Sequence, residues 1–411
     1  MAAPRSNLSR LVRILGPDPS AAAQSIVALF VSIIATLIAG LTLASAEGRL
    51  EQLPGLLLLV PAAIAQRGNV FGALGSRLGT AIHTGEFALT RRADTVFGQN
   101  VLASLTLSLV AATWLAVVAW ALAAIFNVAD AMGLLDFIAV SVIGGVIASV
   151  VVLAITIALA AGSTRFGWDL DNVTAPLVTA TGDLVTLPAL IVGSLVVGSS
   201  ATSEVVGVAS FVMAAGSLLA VWRAPFRLLR RIVRESLPVL ALASTLSLVA
   251  GIVVEKRLAA FLDQPALLVL VPAYFGMAGA LGGILSSRLG SKVHLGLIES
   301  SLIPQRQALN DIRSVAILAV PIFAIVGLAA HLGALVVGVA GPGAVTMVLV
   351  SSIAGIGATC VVLLVAYYGT LGAVRLGLDP DTATIPLTNS VLDLVGAFTL
   401  VATIVALGVG T

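Results

Sequence analysis

The sequence predicts an all-α, polytopic membrane protein with about eleven transmembrane helices. Charged residues make up only 10% of the chain, hydrophobic residues make up 59%, and the mean hydropathy is +1.14. Since a soluble domain carries about 25% charged residues, this chain cannot cover a water-facing surface. Apolar runs of about 20 residues, the length that crosses a bilayer core, recur throughout. They are long and continuously apolar, which favours helices over the short alternating strands of a barrel.

The predicted spans follow one another with short connections. Their approximate limits are 22–46, 54–83, 99–127, 135–163, 173–198, 203–222, 236–255, 265–294, 312–337, 342–372 and 382–409. The segments 54–83 and 265–294 are long for one crossing and hold several glycines. We therefore expect tilt, a break or a kink in these two helices.

Basic residues are unequally divided between the two sets of loops. Short loops rich in Lys and Arg face the cytoplasm. The basic set holds Arg5, Arg10, Arg13, Arg91, Arg92, Arg165, Arg223, Arg227, Arg230, Arg231, Arg234, Arg306, Arg313 and Arg375. The opposite set holds little beyond Arg49, Lys256 and Arg257. We therefore expect a multi-pass protein of the cell membrane with a cytoplasmic N-terminus and, because the span count is odd, a C-terminus outside.

Several functional classes receive no support from the sequence. The basic residues sit in short loops, where they orient the chain or contact anionic lipids, so nucleic acid is not an expected partner. The single cysteine, Cys360, excludes an intrachain disulfide. No HExxH motif, Walker loop or nucleophile–base pair is present. An intramembrane enzyme is therefore disfavoured, and no organic cofactor is expected.

The chain contains an internal repeat. The phrase LGSRLGTAIHTG, which begins at Leu74, returns as LSSRLGSKVHLG at Leu285, and Arg77 and Arg288 lie 211 positions apart (288 − 77). Later, GWDLDNVTAPLVTATGDLV aligns with GLDPDTATIPLTNSVLDLV at an offset of 210. The offset of 211 also relates Gly40 to Gly251, Pro61 to Pro272, Gly68 to Gly279, Gly72 to Gly283 and His83 to His294.

This repeat predicts the domain organisation. We expect a basic cytoplasmic tail at 1–21, a first five-helix repeat at 22–200, a connecting helix with a basic loop at 201–235, and a second five-helix repeat at 236–411. Five spans leave the chain on the opposite face of the membrane, and the connecting helix brings it back. The repeats are therefore parallel, related by an axis along the membrane normal. One chain forms a pseudo-dimer, so a monomer can contain the whole pathway, and the axis is a natural place for an ion site.

Two aspartates occupy matching positions near the middle of apolar helices. Asp183 and Asp393 are related by the offset of 210 (393 − 183). A carboxylate at the bilayer centre costs about 2.5–3.5 kcal/mol. One interpretation is that the pair faces itself across the pseudo-two-fold axis and attracts a cation. The other is that each aspartate is protonated and hydrogen-bonded in helix packing.

Other repeated residues each allow two interpretations. The stripes that contain Gly68 and Gly279 serve close helix packing, or they expose backbone carbonyls to an aqueous pathway. Arg77 and Arg288, near the cytoplasmic ends of their helices, snorkel to the interface, or they make an ion pair or an anion contact. Arg67 falls near mid-membrane, where it balances the acids or faces water in the cavity.

Polar residues also mark the predicted cytoplasmic mouth. Asp171, Asn172 and Asp381 stand just before a proline in the first turns of their helices. They are helix caps or first-turn residues favoured by the helix dipole, or they attract cations to the mouth. His83 and His294 fall at the water boundary, where solvation and metal ligation are the alternatives.

The motifs resemble those of a known family. LVPAYFGMAGALGGILSSRLG resembles the second-helix signature of the MgtE magnesium channels, and PAAIAQRGNVFGALGSRLGT resembles the equivalent stretch of the solute-carrier magnesium transporters, which have two fused MgtE-type repeats. DLDNVTAPLVTATGDLVT resembles the last-helix motif of the family. The resemblance implies five helices per repeat, a central pore selective for magnesium, and Asp183 and Asp393 as its carboxylates. Asn69 matches the Gly-Asn pair of the family, whereas the second repeat has Ala280.

Magnesium as the transported ion agrees with the side chains available. It prefers oxygen ligands and keeps several waters while using one or two carboxylates. Thr179, Asn389 and Ser390 would supply neutral oxygens beside the aspartates. A cation-coupled exchanger of magnesium or of another divalent metal is the alternative, and an anion transporter is disfavoured. Bacterial members carry cytosolic sensing domains, and the basic tail of about 20 residues is too short for these.

Overall fold

The computed structural model describes residues 19–166, 170–197, 200–294, 297–299, 301, 303–375 and 385–409. These residues form thirteen α-helices and no β-strand, which confirms the predicted all-α fold. The first half contains α1 (Pro19–Ser45), α2 (Glu47–Gln52), α3 (Leu56–His83), α4 (Val96–Ile125), α5 (Leu134–Phe166) and α6 (Leu170–Ser194). The remainder contains α7 (Ser200–Arg223), α8 (Arg227–Glu255), α9 (Leu258–Asp263), α10 (Ala266–His294), α11 (Arg306–Val337), α12 (Ala344–Arg375) and α13 (Ile385–Ala406).

Each of the eleven predicted spans corresponds to one long helix. Within the described residues, ten helices are long and apolar enough to cross a membrane, and α1 contributes the shorter apolar stretch Phe30–Ser45. The long segments α3 and α10 are each a single helix, and Pro61 and Pro272 lie inside them. The proline near the start of each helix therefore does not break it.

The structure extends two helices beyond their predicted limits and adds two short ones. Helix α8 begins at Arg227 and α11 at Arg306, in basic sequence that hydropathy assigns to loops. Backbone hydrogen bonding continues past the apolar segment because water at the membrane surface solvates the charged side chains. The short helices α2 and α9 occupy equivalent positions in the two halves and were not predicted, because six residues are too few to show a period.

The two halves interlock through their first and second long helices. Helix α1 packs against α10 of the other half, and α8 packs against α3. A Cβ atom at Gly40 would overlap the backbone carbonyl of Val269, and one at Gly251 would overlap that of Leu58. Both pairs obey the offset of 211 (251 − 40 and 269 − 58). The same glycine contact therefore occurs twice, and the missing side chain lets the helix backbones touch.

The connecting helix α7 stands at the periphery of the bundle. It packs on α4 and α5 of the first half, with Gly207 seated against the backbone of Leu135. Much of its apolar surface is exposed, including Val205 and Val212. A span that is hydrophobic all round and weakly buried faces lipid. This helix therefore links the halves without entering their interface.

Candidate ion site

The site is built around Asp183 of α6 and Asp393 of α13, which lie in the interior of their helices. Both side chains are buried, at 2% and 8% exposure. Asp183 faces helix α10 at Gly276, and α13, which carries Asp393, packs on the same helix α10. Helix α6 packs on α1 and α3, and α13 packs on α8 and α10, so equivalent helices hold the two aspartates. The structure thus brings together the two acids that the repeat pairs in sequence.

Each aspartate has different hydrogen-bonding surroundings. Ser247 of α8 donates a 2.6 Å hydrogen bond from Oγ to Oδ2 of Asp393. Oδ2 of Asp183 is buried and has no hydrogen-bond partner among the described residues. It faces Gly276 of α10, where a Cβ atom would lie 3.6 Å away. One carboxylate is thus held by a donor, and the other has an unsatisfied oxygen.

Neutral oxygens lie one turn before each aspartate. Thr179 of α6 faces Gly68 of α3, where a Cβ atom would lie 3.8 Å from the threonine Oγ1. At the equivalent place, Asn389 of α13 faces Gly279 of α10, with Oδ1 at 3.9 Å from such an atom. Oδ1 of Asn389 is buried without a hydrogen-bond partner in the described part of the chain. The contact between the second and the last long helix thus occurs at equivalent residues in both halves.

Ser390 and Asn69 are two further predicted oxygen donors, and their surroundings differ. Ser390 is buried and donates a 2.9 Å hydrogen bond to the carbonyl oxygen of Pro386, within its own helix. Asn69 lines a narrow crevice between the halves, together with Arg77 of α3, Ser236 of α8 and Pro386 of α13. Asn69 therefore joins Arg77 in this crevice.

In the first half, the arginine of the repeated phrase contacts the following long helix. Arg77 Nε donates a 2.7 Å hydrogen bond to Asn100 Oδ1 of α4. The equivalent Arg288 is half-buried in α10, and Asp311 of α11 forms a 2.5 Å ion pair with Lys292. Asn100 and Asp311 are themselves 211 positions apart (311 − 100). Arg77 thus contacts α4 through Nε, while its Nη2 is buried without a hydrogen-bond partner among the described residues.

Arg67 is fully buried, and its guanidinium points toward α4 and α5. Its Nη1 donates to Gln66 Oε1 at 2.9 Å and to Ser108 Oγ at 3.3 Å. A Cβ atom at Gly145 of α5 would lie 2.6 Å from Nη2, so this glycine makes room for the guanidinium. Ser108 hydrogen-bonds in turn to Ser149 of α5. The guanidinium thus sits between α3, α4 and α5.

The predicted mouth residues lie mostly outside the described side chains. Asp171 and Asn172 fall in the first turn of α6, and their side chains are not described; Asp381 lies outside the described residues altogether. His83 ends α3 and His294 ends α10. Within the described residues, no three His, Cys, Asp or Glu side chains converge as a metal site. An ion at the aspartate pair would therefore keep water or use neutral oxygens.

Sequence reasoning missed three residues that the structure connects with the interface of the two halves. Ser247 and Thr36 occupy equivalent positions in the first long helices, and their matched polarity in an apolar run was the available signal. Glu255, at the end of α8, accepts a 2.7 Å hydrogen bond from the backbone N–H of Gly55 at the start of α3. Its equivalent is Ala44, so no repeat marks it. This carboxylate satisfies an N–H at a helix start in the other half.

Comparison with known proteins finds one family that matches both copies of the internal repeat. The sequence matches the MgtE family, described as divalent cation transporters, over residues 60–193 and 271–403. These segments begin 211 positions apart (271 − 60) and end 210 apart (403 − 193), as two fused MgtE-type repeats require. Both ends of each matched segment thus agree with the offsets of the internal repeat.

Individual relatives are more distant. The chain is 26% identical over 264 residues to solute carrier family 41 member 2 of Xenopus laevis, a match that covers 61% of this chain and 46% of that protein. The match thus spans about half the length of that relative. A crystal structure of a eukaryotic MATE transporter aligns over 98% of this chain and 97% of its own, at 12% identity and a TM-score of 0.32, which is too low to support a structural conclusion. Because the family match covers both repeats and more than half of the sequence, the chain belongs to the MgtE family of divalent cation transporters.

Proposed function

We propose that this protein carries magnesium across the membrane along the interface of its two repeats, and that Asp183 and Asp393 bind the ion with most of its water shell retained. The observation that carries the proposal is the pair itself. Two buried carboxylates stand at equivalent positions of the last helix in each repeat, and helix α10 borders both. A cation between them would turn a repulsion into two attractions.

The balance of charge around the pair supports a cation. Within the described residues, neither aspartate forms an ion pair with a basic side chain. Carboxylates in the apolar part of a helix are costly to insert, and such residues mark ion pathways. A divalent cation supplies two positive charges and therefore balances both carboxylates.

The donor chemistry supports magnesium among the divalent ions. Magnesium takes oxygen ligands, gives up water reluctantly, and is bound through one or two carboxylates. The pair offers two carboxylates, and Thr179 and Asn389 offer neutral oxygens one turn away. Soft metals prefer thiolates and clustered imidazoles. A hydrated magnesium ion fits two carboxylates with neutral oxygens around them.

Two other transport modes remain as alternatives. A cation-coupled exchanger would use the same aspartates, and a gradient of the coupling ion separates it from a channel. An anion transporter would instead depend on Arg67, Arg77 and Arg288. Arg67 donates to Gln66 and Ser108, and Arg77 donates to Asn100, which supports structural roles for these two arginines.

The test is magnesium flux into liposomes that contain the purified protein and a magnesium-sensitive dye, with and without a sodium gradient. Asp183→Asn and Asp393→Asn should each reduce flux to near background. The double variant should be little worse than either single variant, because the pair acts as a unit. Flux should also fall at acid pH, since protons compete with the ion for the carboxylates. A sodium-gradient dependence would favour the exchanger.

The matched control is Asp94→Asn, which neutralises an exposed acid that pairs with Arg92 in the loop before α4. It should transport at the wild-type rate. If both aspartate variants also transport at that rate, the aspartates serve helix packing and the proposed site is wrong. If neutralising the arginines abolishes flux while the aspartate variants keep it, the substrate is an anion.

A further inference from the structure

Each aspartate of the pair lies near a hydroxyl residue on the first long helix of its own half. Thr36 of α1 and Ser247 of α8 are 211 positions apart (247 − 36). Ser247 hydrogen-bonds to Asp393. Thr36 and Asp183 both approach Gly276. A Cβ atom at Gly276 would lie 2.7 Å from Cγ2 of Thr36 and 3.6 Å from Oδ2 of Asp183. Both repeats thus set a hydroxyl residue at the same place relative to the aspartate.

The two hydroxyls point in different directions. Ser247 Oγ donates to Asp393 Oδ2 at 2.6 Å. Thr36 Oγ1 instead points back to its own helix, 2.8 Å from the carbonyl oxygen of Ser32 and 3.1 Å from that of Ile33. Asp183 Oδ2 consequently has no donor among the described residues. The two repeats therefore agree in the positions of these residues and differ in the hydrogen bonds that the residues make.

The threonine methyl group explains the difference. A threonine in a helix bonds readily to the carbonyls three and four residues earlier, and its methyl must then occupy another direction. Here the methyl rests on Gly276, which has no side chain to exclude it. The position equivalent to Gly276 in the first repeat is Ala65 (276 − 65 = 211), and the residue equivalent to Thr36 is a serine without a methyl. The pairs Thr36–Gly276 and Ser247–Ala65 therefore differ at both members.

The two aspartates differ in whether a buried carboxylate oxygen has a hydrogen-bond donor. Burying a carboxylate oxygen without a partner is costly, so Asp183 Oδ2 needs a cation, a water or a proton to satisfy it. Asp393 Oδ2 already accepts a charge-assisted hydrogen bond, which fixes the direction of its carboxylate. The two halves of the pair are thus prepared unequally.

We propose that Ser247 is a positioning residue that holds Asp393 toward the ion path, and that Asp183, without such a donor, offers its open oxygen to the incoming ion or its water shell. This inference rests on the proposed function. Loss of the Ser247 hydroxyl would release Asp393 and weaken ion binding, whereas loss of the Thr36 hydroxyl would not, because that hydroxyl serves only its own helix.

The experiment compares Ser247→Ala with Thr36→Val, two buried variants that each remove one hydroxyl. Magnesium flux is measured against magnesium concentration, with the rate expressed per folded protein. Ser247→Ala should raise the half-saturating concentration about threefold to tenfold, less than the full effect of a hydrogen bond to a charged group, and keep the maximal rate. Thr36→Val should leave both values unchanged.

Ser247→Cys guards against a folding defect in Ser247→Ala, since a thiol is a weaker donor of similar size and should give an intermediate half-saturating concentration. A wild-type value for Ser247→Ala or, if that variant does not fold, for Ser247→Cys overturns the positioning role. An equal increase for Thr36→Val overturns the asymmetry. Asp393→Asn separates this inference from the proposed function. If Asp393→Asn abolishes flux while Ser247→Ala keeps the wild-type half-saturating concentration, only this inference fails. If Asp393→Asn transports at the wild-type rate, the proposed function fails.

Discussion

Arg77 of α3 donates a 2.7 Å hydrogen bond from Nε to Oδ1 of Asn100 in α4, and the equivalent residues of the second half are Arg288 and Asp311. The offset of 211 relates both members of the pair. In the first half, the arginine of the repeated phrase therefore connects the second long helix to the third.

Removing the Arg77 side chain should weaken the fold more than it weakens transport. Arg77→Ala leaves the buried Asn100 oxygen without its donor and should cost about 1–3 kcal/mol of stability. Asn100→Asp reproduces the arrangement of the second half and should hold or raise stability. The measurement is the fraction of monodisperse protein after heating. A stable Arg77→Ala variant that has lost flux would instead assign the arginine to the ion path.

The glycine contacts between the halves should tolerate no side chain. Gly251→Ala places a Cβ against the Leu58 carbonyl and should cost about 1–3 kcal/mol or more, since the helices must move apart. Gly283→Ala, in α10, adds a Cβ with no atom within 4 Å and is the control. Helix propensity alone would favour alanine in both cases, by about 1 kcal/mol. Equal melting temperatures for the two variants would argue against the interlocked packing.

The open face of the glycine stripe should be accessible to water. A Cβ at Gly72 of α3 also meets no atom within 4 Å, unlike the tight contacts at Gly40 and Gly251. In a Cys360→Ser background, Gly72→Cys should react with a water-soluble thiol reagent and lose flux, with protection by magnesium. Leu364→Cys, on an exposed apolar face of α12, should not react, because lipid disfavours the thiolate. An unreactive Gly72→Cys would leave only a packing role for the stripe.

Replacing Arg67 with an apolar side chain of similar length should preserve transport. Exchanging a buried charged group for a well-packed apolar one is often neutral or stabilising. The second half has Ala278 at this position, and Phe323 there fills the space against Gly355. Arg67→Met should therefore fold and keep near wild-type flux, whereas Arg67→Ala leaves a cavity and should melt earlier. Loss of flux in a folded Arg67→Met variant would show that the charge balances the aspartates.

The orientation of the chain follows from its loop charges and can be checked directly. Reporter fusions active on only one side of the membrane should place the N-terminus in the cytoplasm and the C-terminus outside, since an odd number of spans separates them. A deletion variant that lacks α7 should lose this topology, because the second repeat would then start from the other face. Both ends on one side in the full chain would contradict the parallel arrangement of the repeats.

Composition and periodicity were enough to establish the class, the spans and the repeat. Long apolar runs and scarce charges admit only membrane helices, and matching offsets pair Asp183 with Asp393 across the two halves. These features can be read along one dimension, because they depend only on the order of residues in the chain. The same order could not show that Ser390 bonds back to Pro386 or that Asn69 and Arg77 line one crevice with Ser236 of the other half.

The meeting of residues from different helices depended on the folded arrangement. Gly40 and Gly251 look like other glycines of their runs, and only the crossing of α1 on α10 and α8 on α3 makes them indispensable. The unequal partners of Asp183 and Asp393 likewise depend on a methyl group that lies on Gly276 and on a serine that has none. The direction of the Thr36 hydroxyl depends on the volume of the residue that faces it across the helix interface. That residue, Gly276, is 240 positions away in the chain (276 − 36). No local pattern carries such a contact, because packing selects the rotamer after the helices have met.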